Sequence, residues 1–302
     1  MANIWHDLSK EISQAVELAG KSIVAVDGRS GHTSSGIVWR SDSVLTAAHS
    51  IRHDAGIRVV LGPERFVQAR LAGRDRGSDI ALLKLDQEID ALPAQFANAA
   101  DLTIGAFTVA VARTRRGNTV ASSGIIGGLM GEWGIGRTRI DQFIRPDLTL
   151  YSGFSGGALI DNDGAVLGLN TSGLLRGKPI TIPSSTLLRI AEEIDAKGHV
   201  AQPYIGLVMQ PVQIPESLQQ KSGLTMASGL LVMHVEPGGP ADLGGALLGD
   251  ILIDIDGRSF EDLDDVHDVL RQKGVGQETQ TTMIRGGQKV QIAIRLGERP
   301  TR

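Results

Sequence analysis

Short apolar runs, each ended by glycine or polar residues, dominate the chain between residues 22 and 174. Runs such as 23–26, 36–39 and 107–111 are only four or five residues long, and no long helical pattern separates them. Many short strands with turn signals between them are typical of an all-β sandwich or barrel. Residues 113–138 carry seven glycines, which we interpret as a long mobile loop.

Two helical patterns flank this region. In the first 20 residues, apolar side chains recur at helical spacing and predict an amphipathic helix with one apolar face. Residues 184–197 predict a second helix, with Ser184 or Ser185 as its N-cap and Gly198 as its stop. We expect this helix to end the first domain.

A smaller unit of mixed pattern begins at Tyr204. Its landmarks are apolar segments at 204–207, 229–235 and 249–257, and residues 262–273 predict a helix with one apolar side. The predicted organisation is therefore an N-terminal helical segment (1–20), a β-rich domain (21–198) and a small α+β domain (199–302).

Composition narrows the class of protein. A length of 302 residues suggests about two domains, and 41% hydrophobic residues with only 4% aromatics predict aliphatic cores. The net charge of −4 gives no electrostatic case for nucleic acid binding, and we expect the densest basic cluster, residues 113–116, to be a solvated loop.

The absence of cysteine and of long apolar stretches bears on location. Without disulfides the domains must be held by packing alone, which fits the cytosol and does not exclude a periplasm. No stretch has the apolar length of a signal peptide or a membrane span. We expect a cytoplasmic protein if residue 1 is the native start, and a periplasmic one if a leader has been removed.

Three short sequence segments, called frames below, each contain a residue type that catalysis can use. Residues 46–49 read Thr-Ala-Ala-His, residues 78–85 place Asp79 before an apolar run, and residues 153–157 read Gly-Phe-Ser-Gly-Gly. A serine hydroxyl is a weak nucleophile, so it needs an imidazole to take its proton and a carboxylate to orient that imidazole. The order His49, Asp79, Ser155 therefore predicts a catalytic triad of the chymotrypsin type.

Each frame has an alternative interpretation. The serine frame also occurs as the nucleophile elbow of α/β-hydrolases, but that elbow needs a helix after the serine. Residues 158–169 instead predict a strand, a tight turn and a strand. Asp75, in a polar turn, is the rival acid to Asp79.

A metal site is the alternative for the histidine. His53 follows His49 by four residues, which could place two ligands on one helical face. Neither Asp42 nor Asp54 completes a convincing ligand set, and there is no cysteine. We therefore expect no metal, and a serine mechanism needs no cofactor.

The frames resemble trypsin-like serine proteases of the HtrA/Deg branch, through residues 46–49, 78–85, 153–159 and 182–184. The departures are Phe154 where asparagine is usual, Ala158 where proline is usual, and Thr181 where alanine is usual. The resemblance implies a double six-stranded β-barrel with Ser155 as nucleophile, His49 as base and Asp79 as its orienting acid. The backbone amides of Gly153 and Ser155 would form the oxyanion hole.

The C-terminal segments resemble a PDZ domain, most specifically at residues 249–257. The resemblance implies a groove that binds a peptide by strand addition. The amides of Ile205, Gly206 and Leu207 would receive the terminal carboxylate of that peptide.

The combined resemblance implies an endopeptidase that cleaves unfolded or misfolded proteins after small aliphatic residues and binds peptide C-termini. It also implies trimers built through the N-terminal segment, with Trp5 as a candidate contact; packing of Trp5 on its own barrel is the alternative. The rival function is a non-catalytic pseudoprotease or chaperone that holds peptides in the PDZ groove. The complete triad favours the protease, whereas Phe154 in the oxyanion loop favours the rival.

Overall fold

The computed structural model describes residues 4–29, 32–98, 102–131, 133–135, 138–140, 142–175, 178–224, 226–260 and 262–300. The chain forms two compact units, the first ending at Val200 and the second beginning at Ala201. Within the described ranges, no helix is both long enough and apolar enough to cross a membrane.

The first unit opens with helix α1 (Ile4–Gly20) and continues into a closed barrel of six antiparallel strands. Around this first barrel the strands follow the order β1, β2, β3, β6, β5, β4. Their bounds are β1 (Ile23–Arg29), β2 (His32–Arg40), β3 (Ser43–Ala47), β4 (Ile57–Gly62), β5 (Arg65–Asp75) and β6 (Ile80–Leu85).

A second closed barrel has the order β11, β14, β13, β12, β7, β8. The connection between β8 and β11 carries a two-stranded ribbon of β9 and β10. The bounds are β7 (Phe107–Arg113), β8 (Thr119–Met130), β9 (Trp133–Ile135), β10 (Thr138–Ile140), β11 (Phe143–Asp147), β12 (Ala158–Ile160), β13 (Val166–Leu175) and β14 (Lys178–Pro183). The two six-stranded barrels confirm the predicted fold class.

The glycines of the second barrel correct one expectation. Residues 119–130 are not a mobile loop but the long strand β8, paired with both β7 and β11. A Cβ atom at Gly124 would lie 2.0 Å from the carbonyl oxygen of Asp147. This glycine is therefore needed because β11 approaches the backbone of β8 closely, and it does not indicate mobility.

The cores of the first unit are aliphatic, as the composition predicts. One cluster fills each barrel, and a third is shared between the barrels and helix α2 (Ser184–Lys197), which buries Leu187, Ile190 and Ile194 against them. Burial of each such side chain stabilises the fold by about 1.5–3 kcal/mol. The barrels thus share one core, which holds their facing loops in a fixed relation.

Helix α2 has the predicted extent but a different N-cap. Pro183 occupies the cap position, and the hydroxyl of Ser184 donates to the carbonyl of Ala97 at 2.7 Å instead of to the helix. At the other end, Gly198 adopts φ of 79° and its amide donates to the carbonyl of Ile194 at 2.7 Å. This is the left-handed helix stop that glycine favours.

The second unit is a five-strand sheet with a sixth short strand and three helices. The sheet order is β16, β17, β18, β20, β21, with β19 paired to β18 and a separate pair of β15 with β22. The bounds are β15 (Pro203–Tyr204), β16 (Leu207–Gln213), α3 (Glu216–Ser222), β17 (Ser228–Val235), α4 (Pro240–Leu243), β18 (Ile251–Ile255), β19 (Arg258–Ser259), α5 (Leu263–Lys273), β20 (Glu278–Arg285), β21 (Gln288–Arg295) and β22 (Gly297–Glu298).

A buried ion pair fixes the turn before β18. Asp250 is only 1% exposed, and its carboxylate accepts from the Nε and Nη2 atoms of Arg285 at 2.9 and 2.7 Å. These hydrogen bonds raise the pKa of the Arg285 guanidinium. A carboxylate this deeply buried requires such a partner, so the aspartate in this segment is structural.

Candidate active site

Strand pairing in the first barrel brings His49 next to Asp79. Strands β3 and β6 are antiparallel neighbours, and Ala47 at the end of β3 lies opposite Ile80 at the start of β6. The residues just outside the two strands therefore meet, although 30 positions separate them in sequence. His49 follows β3 on a short 3₁₀ turn, Ala48–Ser50, and Asp79 precedes β6.

The contact between the two side chains is short and directional. Nδ1 of His49 lies 2.6 Å from Oδ2 of Asp79, while the backbone N–H of His49 donates to Oδ1 at 2.7 Å. Asp79 is 4% exposed and adopts φ of 58°, a left-handed conformation that aspartate tolerates better than most residues. One carboxylate oxygen of Asp79 thus contacts the imidazole ring of His49 and the other accepts from its backbone, which together fix the plane of the imidazole.

The rival acid, Asp75, makes hydrogen bonds to Ser78. Oδ2 of Asp75 accepts from the backbone N–H and the hydroxyl of Ser78, at 2.9 and 2.6 Å. Asp75 therefore closes the turn that leads into Asp79. The alternative partner His53 is exposed and lies beyond the 3₁₀ turn, so it does not share a helical face with His49.

A segment that the sequence analysis missed supports the pair from the second barrel. The hydroxyl of Thr171, in β13, donates to Oδ2 of Asp79. Two residues on, a Cβ atom at Gly173 would lie 2.5 Å from Nδ1 of His49. Strand β13 thus passes directly over the His–Asp contact. The strand pattern at residues 165–169 was visible in the sequence, but its continuation over the first barrel was not.

The same segment contacts the candidate nucleophile. Ser155 lies in the turn before β12, and its Oγ is 3.3 Å from Oγ of Ser172. Since Thr171 and Gly173 meet the His–Asp pair and Ser172 meets Ser155, three consecutive residues gather all three side chains predicted for the triad. The two barrels contribute to one site.

The turn that carries Ser155, residues 151–157, is held by its own hydrogen bonds and by β13. The amide of Phe154 donates to the carbonyl of Tyr151 at 3.1 Å, and the amide of Gly156 donates to the carbonyl of Asn170 at 2.8 Å. The amides of Gly153 and Ser155 donate to no residue that the structure describes. These two N–H groups flank the turn that presents the nucleophile, as donors for an oxyanion must.

Phe154 is a core residue of the second barrel. It is 2% exposed, packs with Ile144 and Leu159, and meets the ring of Tyr151 edge-on at 5.8 Å. Its side chain therefore anchors the turn in the barrel interior. Because the neighbouring donors are backbone groups, this departure from the usual asparagine does not remove them.

The basic cluster at residues 113–116 is partly structural and not simply a solvated loop. The guanidinium of Arg113 donates to the carbonyls of Gly20, Ile23 and Gly117. Burial lowers the pKa of this guanidinium. Arg113 thus ties the C-terminal end of α1 to the hairpin between β7 and β8, where a cation also complements the helix dipole.

The second unit has an open sheet edge at the position where the sequence predicts a peptide groove. Strand β16 pairs with β17 on one side only, and helix α5 packs beside it. Gly206 has φ of 76°, and the amides of Ile205 and Gly206 donate to no described residue. An edge strand preceded by two free amides can accept a strand that ends in a carboxylate.

Comparison with known proteins agrees with this division. Residues 34–169 match the family model of the trypsin-like peptidase domain, and residues 203–296 match that of the PDZ domain. The chain is 30% identical over 288 residues to Protease Do-like 1, chloroplastic, from Arabidopsis thaliana, with 89% of this chain covered. It spans 64% of the length of that relative.

Solved structures of serine proteases are also similar to this chain. A serine endoprotease from Yersinia pestis is 26% identical with a TM-score of 0.70, covering 96% of this chain and 98% of that one. The HtrA-type protease AlgW, solved with a tripeptide, is also 26% identical, with a TM-score of 0.69 and the same coverage.

The fold and its two domain matches define a trypsin-like peptidase joined to a PDZ domain. The chain is similar along most of its length to serine proteases of the Do, DegP and HtrA type.

Proposed function

We propose that the protein is a serine endopeptidase in which Ser155 attacks the scissile carbonyl. His49 takes the hydroxyl proton as general base and then gives it to the leaving amine, while Asp79 orients the imidazole and stabilises its cation. The amides of Gly153 and Ser155 stabilise the oxyanion. The observation that carries the proposal is the gathering of His49, Asp79 and Ser155 around residues 171–173.

Cleavage of unfolded casein tests this proposal against the rival function of a non-catalytic peptide-binding protein. The wild type should degrade casein, and Ser155→Ala should lose about 10⁴- to 10⁶-fold in rate while keeping its fold, as expected for a nucleophile that acts as part of a unit. A folded wild type with no activity on casein would favour the non-catalytic rival. Activity retained in Ser155→Ala would exclude the serine mechanism.

Unfolded or misfolded proteins are the substrate class that we propose, with small aliphatic residues before the cut. The similarity to HtrA-type proteases supports this assignment. The extent of cleavage of one protein substrate, measured below and above its unfolding midpoint, should rise with its unfolded fraction; equal cleavage of both states would refute the assignment.

The PDZ unit is proposed to bind peptide C-termini along β16, with the amides of Ile205, Gly206 and Leu207 receiving the carboxylate. The open edge of β16 and the free amides of Ile205 and Gly206 support this. A peptide with a free apolar C-terminus should bind the full chain more tightly than its amidated form, because amidation removes the charge that the amides receive. Equal affinities by calorimetry would discard the carboxylate assignment.

Helix α1 is proposed to mediate assembly into trimers. Its second half packs on the barrels through Ala15 and Ala19, whereas Ile4 and Trp5 are 75% and 79% exposed. This exposure favours a contact with a neighbouring subunit over packing of Trp5 on its own barrel, because an exposed apolar cluster indicates an interaction surface. Light scattering should give a trimeric mass for the wild type and a shift towards monomer for Trp5→Ala. A monomeric wild type at micromolar concentration would refute the assembly.

A further inference from the structure

Ser35 lies in β2 of the first barrel, yet its hydrogen bonds reach the nucleophile turn of the second barrel. It is completely buried, and 118 residues separate it from its partner Gly153. A serine hydroxyl at such a position must find a partner inside the protein, so its choice of partner is informative.

Both the side chain and the backbone of Ser35 are committed to this turn. The hydroxyl donates to the carbonyl of Gly153 at 2.8 Å and accepts from the backbone N–H of Arg113 at 2.9 Å. The backbone N–H of Ser35 donates to the carbonyl of Ser155 at 2.9 Å. Ser35 therefore holds the carbonyl groups on either side of Phe154.

The remaining polar atom of Ser35 is bonded to the strand that leads to the base. Its carbonyl accepts from the hydroxyl of Thr46 at 2.6 Å, three residues before His49. The same carbonyl would lie 2.1 Å from a Cβ atom at Gly156. One residue thus touches the nucleophile turn on two sides and is anchored to β3.

The peptide group between Gly153 and Phe154 is the part of the turn that needs such a restraint. Gly153 has φ of 92°, and without a Cβ atom it restrains its own φ and ψ less than any other residue would. In the structure the plane is held at both ends, by Ser35 at its carbonyl and by Tyr151 at its N–H. Rotation about the backbone bond on either side of this plane would break these hydrogen bonds and change the orientation of the Gly153 amide relative to the Ser155 amide.

We infer that Ser35 is a positioning residue that orients the oxyanion hole before substrate binds. This inference rests on the proposed function. A preorganised hole costs no reorganisation during the reaction, whereas a turn that must first be ordered loses part of its transition-state stabilisation. Ser35 itself touches no reacting atom.

The test is Ser35→Ala in the full chain, with a small peptide substrate. We expect kcat/KM to fall about 10- to 100-fold, the scale of a small misplacement of catalytic groups. The affinity for a peptide boronate, which mimics the tetrahedral intermediate, should fall in parallel. Binding of the same peptide as an uncleaved ligand, measured in the Ser155→Ala background, should not change.

Two further variants separate positioning from a merely structural role. Ser34→Ala is the matched control, because Ser34 is also buried in β2 but its hydroxyl donates to Val26 at 3.4 Å, away from the turn. It should keep wild-type boronate affinity. Ser35→Cys retains a weak hydrogen-bond donor of similar size, so its kcat/KM and boronate affinity should lie between those of the wild type and those of Ser35→Ala.

Each outcome decides the matter. If Ser35→Ala keeps wild-type kcat/KM and boronate affinity, the inference is overturned while the proposed function stands. The inference is also overturned if the activity lost in Ser35→Ala is fully explained by a smaller fraction of folded protein. In that case the boronate affinity of the folded molecules would equal that of the wild type. A wild type that neither cleaves the peptide nor binds the boronate would overturn the proposed function and this inference with it.

Discussion

In the first barrel, His49 and Asp79 lie at the ends of two paired strands, whereas in the second barrel Ser155 lies on a turn that belongs to no strand ladder. The base and its acid are therefore positioned by regular backbone pairing. The nucleophile is positioned by glycines with positive φ and by hydrogen bonds from Ser35 and Asn170.

The difference indicates where the site is sensitive to change. In the strand ladder, many backbone hydrogen bonds together fix the positions of His49 and Asp79. No single neighbouring residue is critical there, so the function of the pair depends on the two side chains themselves. The turn depends on a few specific contacts, most of which come from residues distant in sequence. Substitutions in the first barrel should therefore impair the chemistry of the His–Asp pair, whereas substitutions in the second should change the conformation of the turn that carries Ser155.

Among residues that support the nucleophile without being it, the largest effect should come from the acid in the first barrel. Asp79→Asn should lower kcat by about 10⁴-fold, because an amide favours the wrong imidazole tautomer while leaving the geometry intact. Asp75→Asn is the matched control, since Asp75 closes the adjacent turn and contacts Ser78. Steady-state rates on one peptide check both, and a crippled Asp75→Asn beside an active Asp79→Asn would reassign the acid.

The next largest effect should come from a change in the conformation of the nucleophile turn in the second barrel. Gly156→Ala combines a positive φ of 83° with a Cβ position 2.1 Å from the carbonyl of Ser35. We expect a loss of about 3 kcal/mol in the free energy of unfolding from strain and overpacking together, with a large loss of activity.

The control for Gly156→Ala is Gly56→Ala in the first barrel. Gly56 has φ of 73°, but nothing lies within 4 Å of its Cβ position. It should lose only about 1 kcal/mol in the free energy of unfolding, from the backbone conformation alone. Denaturant melts of both variants provide the comparison, and equal losses would show that the close approach of Ser35 does not matter.

The smallest predicted effect concerns the hydrogen bond from Thr171 in the second barrel to Asp79 in the first. Thr171→Val removes the hydroxyl donor to Asp79 and should lower kcat/KM by about 10-fold, since a hydrogen bond to a charged group contributes roughly 1.5–3 kcal/mol. Thr108→Val is a matched control, because Thr108 is equally buried and bonds the carbonyl of Ile160 instead. Equal activities of the two variants would contradict a role for Thr171 at the site.

Sequence patterns predict the parts of the molecule that local chemistry determines. The short apolar runs, the helix at 184–197 and the order of the three frames all follow from neighbouring residues, and the double barrel with a small α+β domain is confirmed. The frames also indicate His49, Asp79 and Ser155 as candidates, because each stands in a recognisable local setting.

Contacts between distant segments are the part that the sequence leaves out. Ser35 and Thr171 look like ordinary strand residues until the barrels bring them to Gly153 and Asp79. The glycines of β8 suggest mobility in the sequence, yet they lie in a paired strand, and Gly124 marks a close approach of the β11 backbone. Ser184 has the residue type of an N-cap, yet its hydroxyl is taken by Ala97.

The most direct test of the account is the rate at which a fluorophosphonate labels the folded protein, with the modified residue identified by mass spectrometry. We expect a single adduct on Ser155 that is absent in Ser155→Ala and forms orders of magnitude more slowly in His49→Ala, because the hydroxyl then lacks its base. Labelling at another residue, or an undiminished rate in His49→Ala, would contradict it.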